Sequence, residues 1–582
     1  MATLNTLPAI VVLGPSALPT ARRIQHRYPG ARLYGLHERI EANDADATYT
    51  NLGKLLRGLY RSNTPLVVLC AAGIVIRCLA SALADKGAEP PVLAVAEDGS
   101  AVVPLLGGLA GVNVLAREIA AALDTTPAIT TSGELRFGTC LLNPPEGYRL
   151  ASIEQGKHFV SSLLAGQSAR LEGEAPWLDG TGVPLDSDAR LSIRVSESAW
   201  QGNPDELLIH PQCVIAAIAD TSVPIGSAVR DALDTHGIAA QSLAALLVAR
   251  HRLGDESAAQ AAAELNVPLR GIHTTGNDAQ ALLDAAMPSQ PGRVLATSTP
   301  GVALAVSPTP WQVDQIGHAR GKLSVIGLGP GTADLLTPAA RRALDEATDI
   351  LGYETYVRMA GPFRPDQRLH CTDNREELQR ARHAFELATS GQRVVVVSSG
   401  DPGVFAMAAA VLEALDQGCD PAWAQVELAI VPGVSAAMAT AAVAGAPLGH
   451  DFCILSLSDN LKPWDTIETR LRHAAEGDFV MAFYNPISRA RPWQLDRALE
   501  VVRAVRGTDT PVVLGRDIGR PAAALTTTTL GALRSEQVDM RTMVIIGSST
   551  TRTIARGDGA AAAWVYTPRW YPVPPDKPIM AG

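Results

Sequence analysis

Three apolar strand candidates in the second half of the chain end in turns of glycine, proline, serine and aspartate, and each turn runs into a helix. They are "KLSVIGLGPGTADLLTPAA" from Lys322, "VVVVSSGDPGVFAMAAAVLEAL" from Val394 and "VELAIVPGVSAAMATAAVAG" from Val426. Strands that alternate with helices commit a chain to a mostly parallel sheet, because parallel neighbours need a long crossover between them. Ligands of such sheets bind outside the carboxyl ends of the strands. One small-residue turn reads equally well as a tight structural turn; three together describe a pocket with backbone walls.

The first loop, Gly327-Leu328-Gly329-Pro330-Gly331, fits neither common phosphate motif. No Gly-Lys-Ser/Thr follows it, Thr332 stands where a dinucleotide fingerprint has glycine, and Pro330 lacks an N–H donor. Its helix is expected to begin near Thr337–Pro338. Two further strand-ends, "FYNPISRARPWQL" and "VVLGRDIGRP", contribute Tyr484, Asn485, Arg489, Arg491, Gly515, Arg516, Asp517 and Arg520. Arginines at one mouth point to a carboxylate-rich ligand, since the guanidinium fork matches carboxylate geometry.

A chain of 582 residues exceeds one core, and the usual domain size gives three or four domains. The N-terminal block reads as a strand at 10–13, a buried strand at 66–70 followed by an apolar helix, two strands around the Asp98–Gly99 turn, and a helix in "GVNVLAREIAAAL". The pattern fades from 143 to 190, as in loops or a boundary. A smaller α/β unit follows, with "VIAAIA", "IGSAVRDALDTHGI" and "GVALAVS" as strand, helix and strand. The expected organisation is 1–190, 210–307, a linker at 308–321, and 322–565.

The net charge of −10 without a long basic run disfavours nucleic acid and anionic membranes as partners. No apolar window spans a bilayer and the N-terminus does not read as a secretory signal, so a cytoplasmic protein is expected. Seven cysteines without a CxxC pair give neither a disulfide framework nor a metal site, and are expected to be mostly small buried side chains.

Residues 322 to about 565 resemble the tetrapyrrole methylases. "GLGPGTADLLTPAA", "GYETYV", "SSGDPGVFAMA", "VPGVSA", "YNPISRARP" and "GRDIGRP" fall in family order, most like the members that methylate C17 of a precorrin or of its cobalt counterpart. The resemblance implies two α/β subdomains, S-adenosylmethionine held in the cleft between them, a tetrapyrrole substrate and a homodimer. It places cofactor contacts on Gly329, Pro330, Ser399, Gly400, Asp401, Val404, Ser435, Ala436, Tyr484, Asn485, Gly515, Arg516 and Asp517. Substrate contacts fall on Arg489, Arg491 and Arg520. The implied ring contraction asks for a base, for which Glu354, Asp373 and Asp401 are candidates; Glu354 also reads as a helix carboxylate paired with Arg358.

Residues 8 to about 310 resemble, more loosely, the cobalt-precorrin-5A hydrolases, through "CAAGIVIRCLASALADKGAEPPVLAVAEDGSAVVPLLGG" and "NVLAREIAAALDTTPAITT". The whole chain is thus expected to be α/β, hydrolase-like modules followed by a two-subdomain methylase. Where such hydrolases carry histidine ahead of a Gly/Ala-Asn step, this chain has Leu109-Ala110-Gly111-Val112-Asn113, without an imidazole for acid–base work. Glu97, Asp98 and Glu134 are the nearest acids, and Asp98 beside Gly99 reads as a turn former. The small module at 213–307 shows no distinct polar cluster. Hydrolysis is therefore expected to be negligible. Three alternatives stay open: a bifunctional cobalt-pathway enzyme, a corrinoid-holding N-terminal half, and a methylase acting on diphthamide or an rRNA nucleotide.

Overall fold

In the computed structural model the described residues are 7–41, 44–83, 89–274, 276, 278–296, 299–364, 366–373, 376–418, 420–488, 491–556 and 563–570. The chain divides into two compact units, Met1–Arg320 with Pro362–Gln367, and Gly321–Gly361 with Arg368–Gly582. No helix among the described residues is long and apolar enough to cross a membrane.

The first unit holds three sheets. In the first, the strand order is Ala47–Tyr49, Arg32–Leu36, Ala9–Val12, Leu66–Leu69, Val92–Val95, Val102–Leu106. The first five strands are parallel, and the Asp98–Gly99 turn sends the sixth back antiparallel. Ala9–Val12, Leu66–Leu69 and Val92–Val95 are buried throughout, as continuous apolar runs must be when helices cover both faces. Helices Leu18–Arg27 and Val112–Ala122 cover one face, and Leu52–Arg61 and Ala72–Leu79 the other.

Where the sequence predicts loops or a boundary at 143–190, the structure has a second sheet instead. Its order is Tyr148–Leu150, Glu206–Pro211, Leu191–Val195, Ala169–Glu172. Helix Ile153–Leu164 closes it by burying Phe159 and Leu163 against Ile193, Leu207 and Ile209. The outer strands are too short to show alternation, and the buried partners that order them lie beyond residue 190. The expected domain edge therefore cuts through one sheet.

The third sheet runs Leu269–Ile272, Leu243–Ala249, Val214–Ile218, Val302–Val306, Arg293–Leu295. The segment expected to be a linker packs onto it. Trp311 is buried and its indole N–H donates to the Cys213 carbonyl at 2.7 Å, and His318 exchanges two backbone hydrogen bonds with Gly271. Arg270, also buried, donates to the carbonyls of Asp314, Ile316 and Gly317. Single anchors of this kind leave no periodicity in the sequence.

The second unit has two main lobes. The first is a five-stranded, all-parallel sheet in the order Arg368–Thr372, Asp349–Tyr353, Arg393–Ser398, Lys322–Gly327, Glu427–Val431. The second is mixed: Phe452–Ser456, Val480–Tyr484, Thr542–Ile546, Pro511–Arg516, Ala524–Thr529. Helix Ala436–Ala444 leaves the first lobe and buries Ala437, Ala441 and Ala444 against Val480, Ala482, Val513 and Ile545 of the second. Among the described cysteines Cys70 and Cys213 are buried and Cys371 is exposed, all as free thiols; burial pushes the Cys70 thiol up to about 11. Cys419 lies outside the described residues.

The first lobe is pinned at its outer edge by Asp349. Its fully buried carboxylate accepts from Arg368 Nη2 and Thr348 Oγ1 and lies 2.8 Å from His370 Nε2. Burial pushes this carboxyl's pKa up, and the bonds from Arg368, His370 and Thr348 outweigh it, leaving the group below its ordinary value. A depressed folded pKa contributes stability above the unfolded value, about 4, that is lost as pH falls through the folded one. Asp349→Ala should therefore cost about 2 kcal/mol at neutral pH through the lost hydrogen bonds to a charged group. Hydrogen exchange of strands 349–353 and 368–372 checks it, with a deficit that shrinks below about pH 4; an unchanged exchange rate at pH 7 would contradict it.

Candidate active site

Three adjacent strands of the parallel lobe, Arg393–Ser398, Lys322–Gly327 and Glu427–Val431, release their loops side by side. The loops touch through backbone. Gly329 and Gly400 exchange both hydrogen bonds, at 3.1 and 2.8 Å. A Cβ on Gly327 would stand 2.3 Å from the Gly400 carbonyl oxygen, and one on Gly433 would stand 2.2 Å from the same atom. No side chain fits at either place. Asp401 ties the cluster: one carboxylate oxygen accepts the Gly403 N–H at 2.8 Å, the other the Gly433 N–H at 3.0 Å. Such charge-assisted bonds to backbone are among the stronger ones, so the carboxylate holds the second loop to the third.

The same loops lead into helices. Thr337 caps Pro338–Glu346 by accepting from Ala340 N, and Ser435 caps Ala436–Ala444 by accepting from Met438 N. Ser398, buried beside Ser399, accepts the Met407 N–H. Phe405 has φ of 54°, a left-handed conformation costing a non-glycine residue about 1–2 kcal/mol. Its half-exposed ring meets the edge of Tyr484 at 5.5 Å and lies under Lys462. Strain of this kind on an exposed aromatic persists where the surroundings impose it, as at ligand clamps.

Strand directions bring the second lobe's polar residues to one edge. Strands ending at Ser456, Tyr484 and Arg516 all point the same way, while Thr542–Ile546 runs against them and starts there. Tyr484 Oη accepts the Ala437 N–H, and Asn485 donates to Ser456 Oγ at 3.1 Å. Gly515 faces Thr440, whose hydroxyl would lie 2.6 Å from an added Cβ and has no partner among the described residues. Gly519 and Arg520 reach the first loop: a Cβ on Gly519 would meet Pro330 at 2.8 Å, and Arg520 Nε donates to the Pro330 carbonyl.

The three base candidates follow neighbouring strands of one parallel sheet. Glu354 opens helix Glu354–Ala360, exposed, and pairs with Arg358 as the bland reading had it. Asp373 is exposed at the end of Arg368–Thr372, its carbonyl held by the buried Arg380. Each Asp401 oxygen accepts one backbone N–H. Arg491 is bound to Asp459 and Asn460 rather than presented openly, and Arg489 lies outside the described residues. Val404 and Ala436 line the loops, half-buried. Sequence reading missed Arg541, which precedes an antiparallel strand and reaches the edge only through that pairing, and Tyr356 and Met359, on the helix facing Arg520.

In the first unit Glu134 is buried, with its oxygens taken by Asn113 Nδ2 at 2.7 Å and Arg117 Nη2 at 2.6 Å. Glu97 accepts from Ser16 Oγ, and Asp98 accepts from Ser100 N and Oγ as a turn former should. The 107–111 loop turns on two left-handed glycines, Gly107 and Gly111. The small module is less plain than its sequence reads: desolvation, and then the nearby Arg250, Arg270 and His273, lower the pKa of His318.

The family model of tetrapyrrole (corrin/porphyrin) methylases matches residues 322–534, and that described as cobalamin synthesis G N-terminal matches residues 54–134. The chain is 53% identical over 252 residues to a precorrin-3B C(17)-methyltransferase of Sinorhizobium sp, a match covering 43% of this chain and 97% of that one. It is 44% identical over 284 residues to the cobalamin biosynthesis protein CobIJ of Mycobacterium bovis, covering 47% of this chain and 53% of the relative. It is 43% identical over 230 residues to a probable cobalt-factor III C(17)-methyltransferase of Salmonella typhimurium, covering 39% and 93%.

The loop geometry separates two glycine substitutions. Gly433→Ala forces backbone against backbone and should cost about 3 kcal/mol and at least tenfold in S-adenosylhomocysteine affinity. Gly400 is different, since an added Cβ meets nothing nearer than 3.6 Å, and Gly400→Ala should cost only the left-handed strain of about 1 kcal/mol. Thermal unfolding and calorimetric titration of the two variants check the order; equal effects would contradict the backbone knot.

Proposed function

The chain belongs to the tetrapyrrole (corrin/porphyrin) methylases, and from that premise we propose that its second unit transfers a methyl group from S-adenosylmethionine to C17 of precorrin-3B, with contraction of the ring. The observation that carries this reading is the knot of Gly327, Gly400 and Gly433 at three adjacent strand-ends. Backbone and small side chains dominate around it, with Pro330, Val404, Ser435, Tyr484 and Gly515 on the same loops and strand-ends, and we place the cofactor against them. The buried Thr440 hydroxyl beside Gly515, without a partner among the described residues, suits a nucleoside with polar edges, so the residues present fit S-adenosylmethionine. When bound, the cofactor supplies a methyl group already activated by the sulfonium.

What the protein adds is alignment. Holding donor and acceptor carbons in line is worth up to about 7–11 kcal/mol in favourable cases, and a wall of backbone fixed by Asp401 loses little of that to side-chain motion. Arg516, Arg520 and Arg541 gather positive charge at the second lobe's edge, on a chain of net charge −10, and so attract a polycarboxylate locally. Glu354 and Asp373 remain the exposed acids at the first lobe's edge that can take the proton released on ring contraction.

Likeness to a cobalt-factor III enzyme favours a second reading, the cobalt-loaded substrate. The test is to give the full chain S-adenosylmethionine with metal-free precorrin-3B or with the cobalt counterpart and to weigh the products. Methylation and contraction of the metal-free substrate is expected; transfer to the cobalt form alone would select the second reading, and transfer to neither would overturn both.

For the first unit the proposed role is to hold a corrinoid without hydrolysing it. Both Glu134 oxygens are engaged, and the 107–111 loop carries no titratable side chain. Given the lactone of cobalt-precorrin-5A, the full chain should release acetaldehyde no faster than buffer does. Release at ordinary enzymatic rates, on the order of 1–1000 per second, would make the protein bifunctional.

A further inference from the structure

At the second lobe's edge a carboxylate is buried without a hydrogen bond. The Asp517 side chain is 2% exposed, and neither oxygen accepts an N–H or O–H among the described residues. Three guanidinium groups surround it at Coulombic range: Arg541 at 3.4 Å, Arg516 at 3.7 Å and Arg520 at 3.8 Å. The backbone fixes the residue, with φ of 51°, its N–H on the Arg541 carbonyl and its own carbonyl accepting from Arg520 N.

The arginines direct their donors elsewhere. Arg516 Nε binds Asp539 at 2.8 Å, and Arg520 reaches the Pro330 carbonyl and Met359. Among the described residues Arg541 has only its ion pairs with Asp517 and Asp539, and its side chain is 53% exposed. Against three cations stand two carboxylates, so the array keeps a net positive charge within a negatively charged chain. A carboxylate that holds cations by field and not by fork leaves their N–H groups to a ligand. It also offsets the repulsion that would spread them.

We propose that Asp517 is a positioning residue, which gathers Arg516, Arg520 and Arg541 into a receptor for the carboxylate side chains of the tetrapyrrole. This rests on the methyltransferase reading. It assigns Arg541 to substrate binding and gives the Asp517 side chain a role apart from the cofactor.

The variant that isolates the charge is Asp517→Asn, which keeps size and tolerates the left-handed backbone. Two quantities are read: KM for the methyl-accepting tetrapyrrole, precorrin-3B or its cobalt counterpart, and the dissociation constant of S-adenosylhomocysteine. In the wild type, added salt should raise KM steadily, because screening weakens attraction of a polyanion. In Asp517→Asn, KM should rise at least tenfold at low salt and then fall as moderate salt screens the repulsion among the arginines. Its S-adenosylhomocysteine affinity should stay within about threefold. A purely structural residue would not reverse the sign of the salt dependence.

Arg541→Gln should raise KM several-fold with cofactor affinity kept, and it decides the matter should Asp517→Asn fail to fold. Loss of S-adenosylhomocysteine binding in Asp517→Asn with KM unchanged would overturn the proposal, as would an Arg541→Gln variant with wild-type KM. A wild-type chain that does not bind S-adenosylhomocysteine would instead sink the methyltransferase reading.

Discussion

The second unit depends on one contact, the packing of the Gly327, Gly400 and Gly433 loops backbone on backbone. Parallel strands deliver the three loops to one edge, and hydrogen bonds between Gly329 and Gly400 join the first to the second. Asp401 joins the second to the third. A side chain at Gly327 or Gly433 would stand 2.3 or 2.2 Å from the Gly400 carbonyl oxygen and force the loops apart. A backbone surface with almost no side-chain entropy to lose is suited to a reaction whose chemistry arrives with the donor.

Electrostatics sorts the two lobes. The parallel lobe presents neutral backbone and exposed acids at its carboxyl edge; the mixed lobe presents arginines arranged around Asp517 and Asp539. On the proposed reading the burden of binding a polyanion falls on the second lobe, and the donor would lie mainly against the first and the junction at Thr440 and Gly515. Arg520 belongs to both, since one guanidinium reaches Pro330 and faces Asp517.

The strand-ends were legible because their signal is local: a β-branched run stopped by glycine or proline needs no partner to be read. The Asp98 turn and the Thr337–Pro338 helix start were readable for the same reason. Other features were hidden by distance along the chain. The four-stranded sheet of the first unit draws strands of three to six residues from 148 to 211, so no window contains its pattern. Arg491 looked like a free strand-end cation, yet it is bound by Asp459 and Asn460, about thirty residues away. Asp401 read as a base candidate, and its tie to the third loop depends on where the Gly433 N–H points, which no local pattern encodes. Arg541 needed the antiparallel register of Arg516 with Thr542.

The central claim is that these loops, and not another surface, enclose the donor. Hydrogen exchange of the full chain with and without saturating S-adenosylhomocysteine tests it directly. Added protection is expected to concentrate at 327–333, 399–407, 433–440 and 515–520, with the first unit unchanged. Protection confined to other segments, or binding without protection at the Gly400 and Gly433 loops, would contradict it.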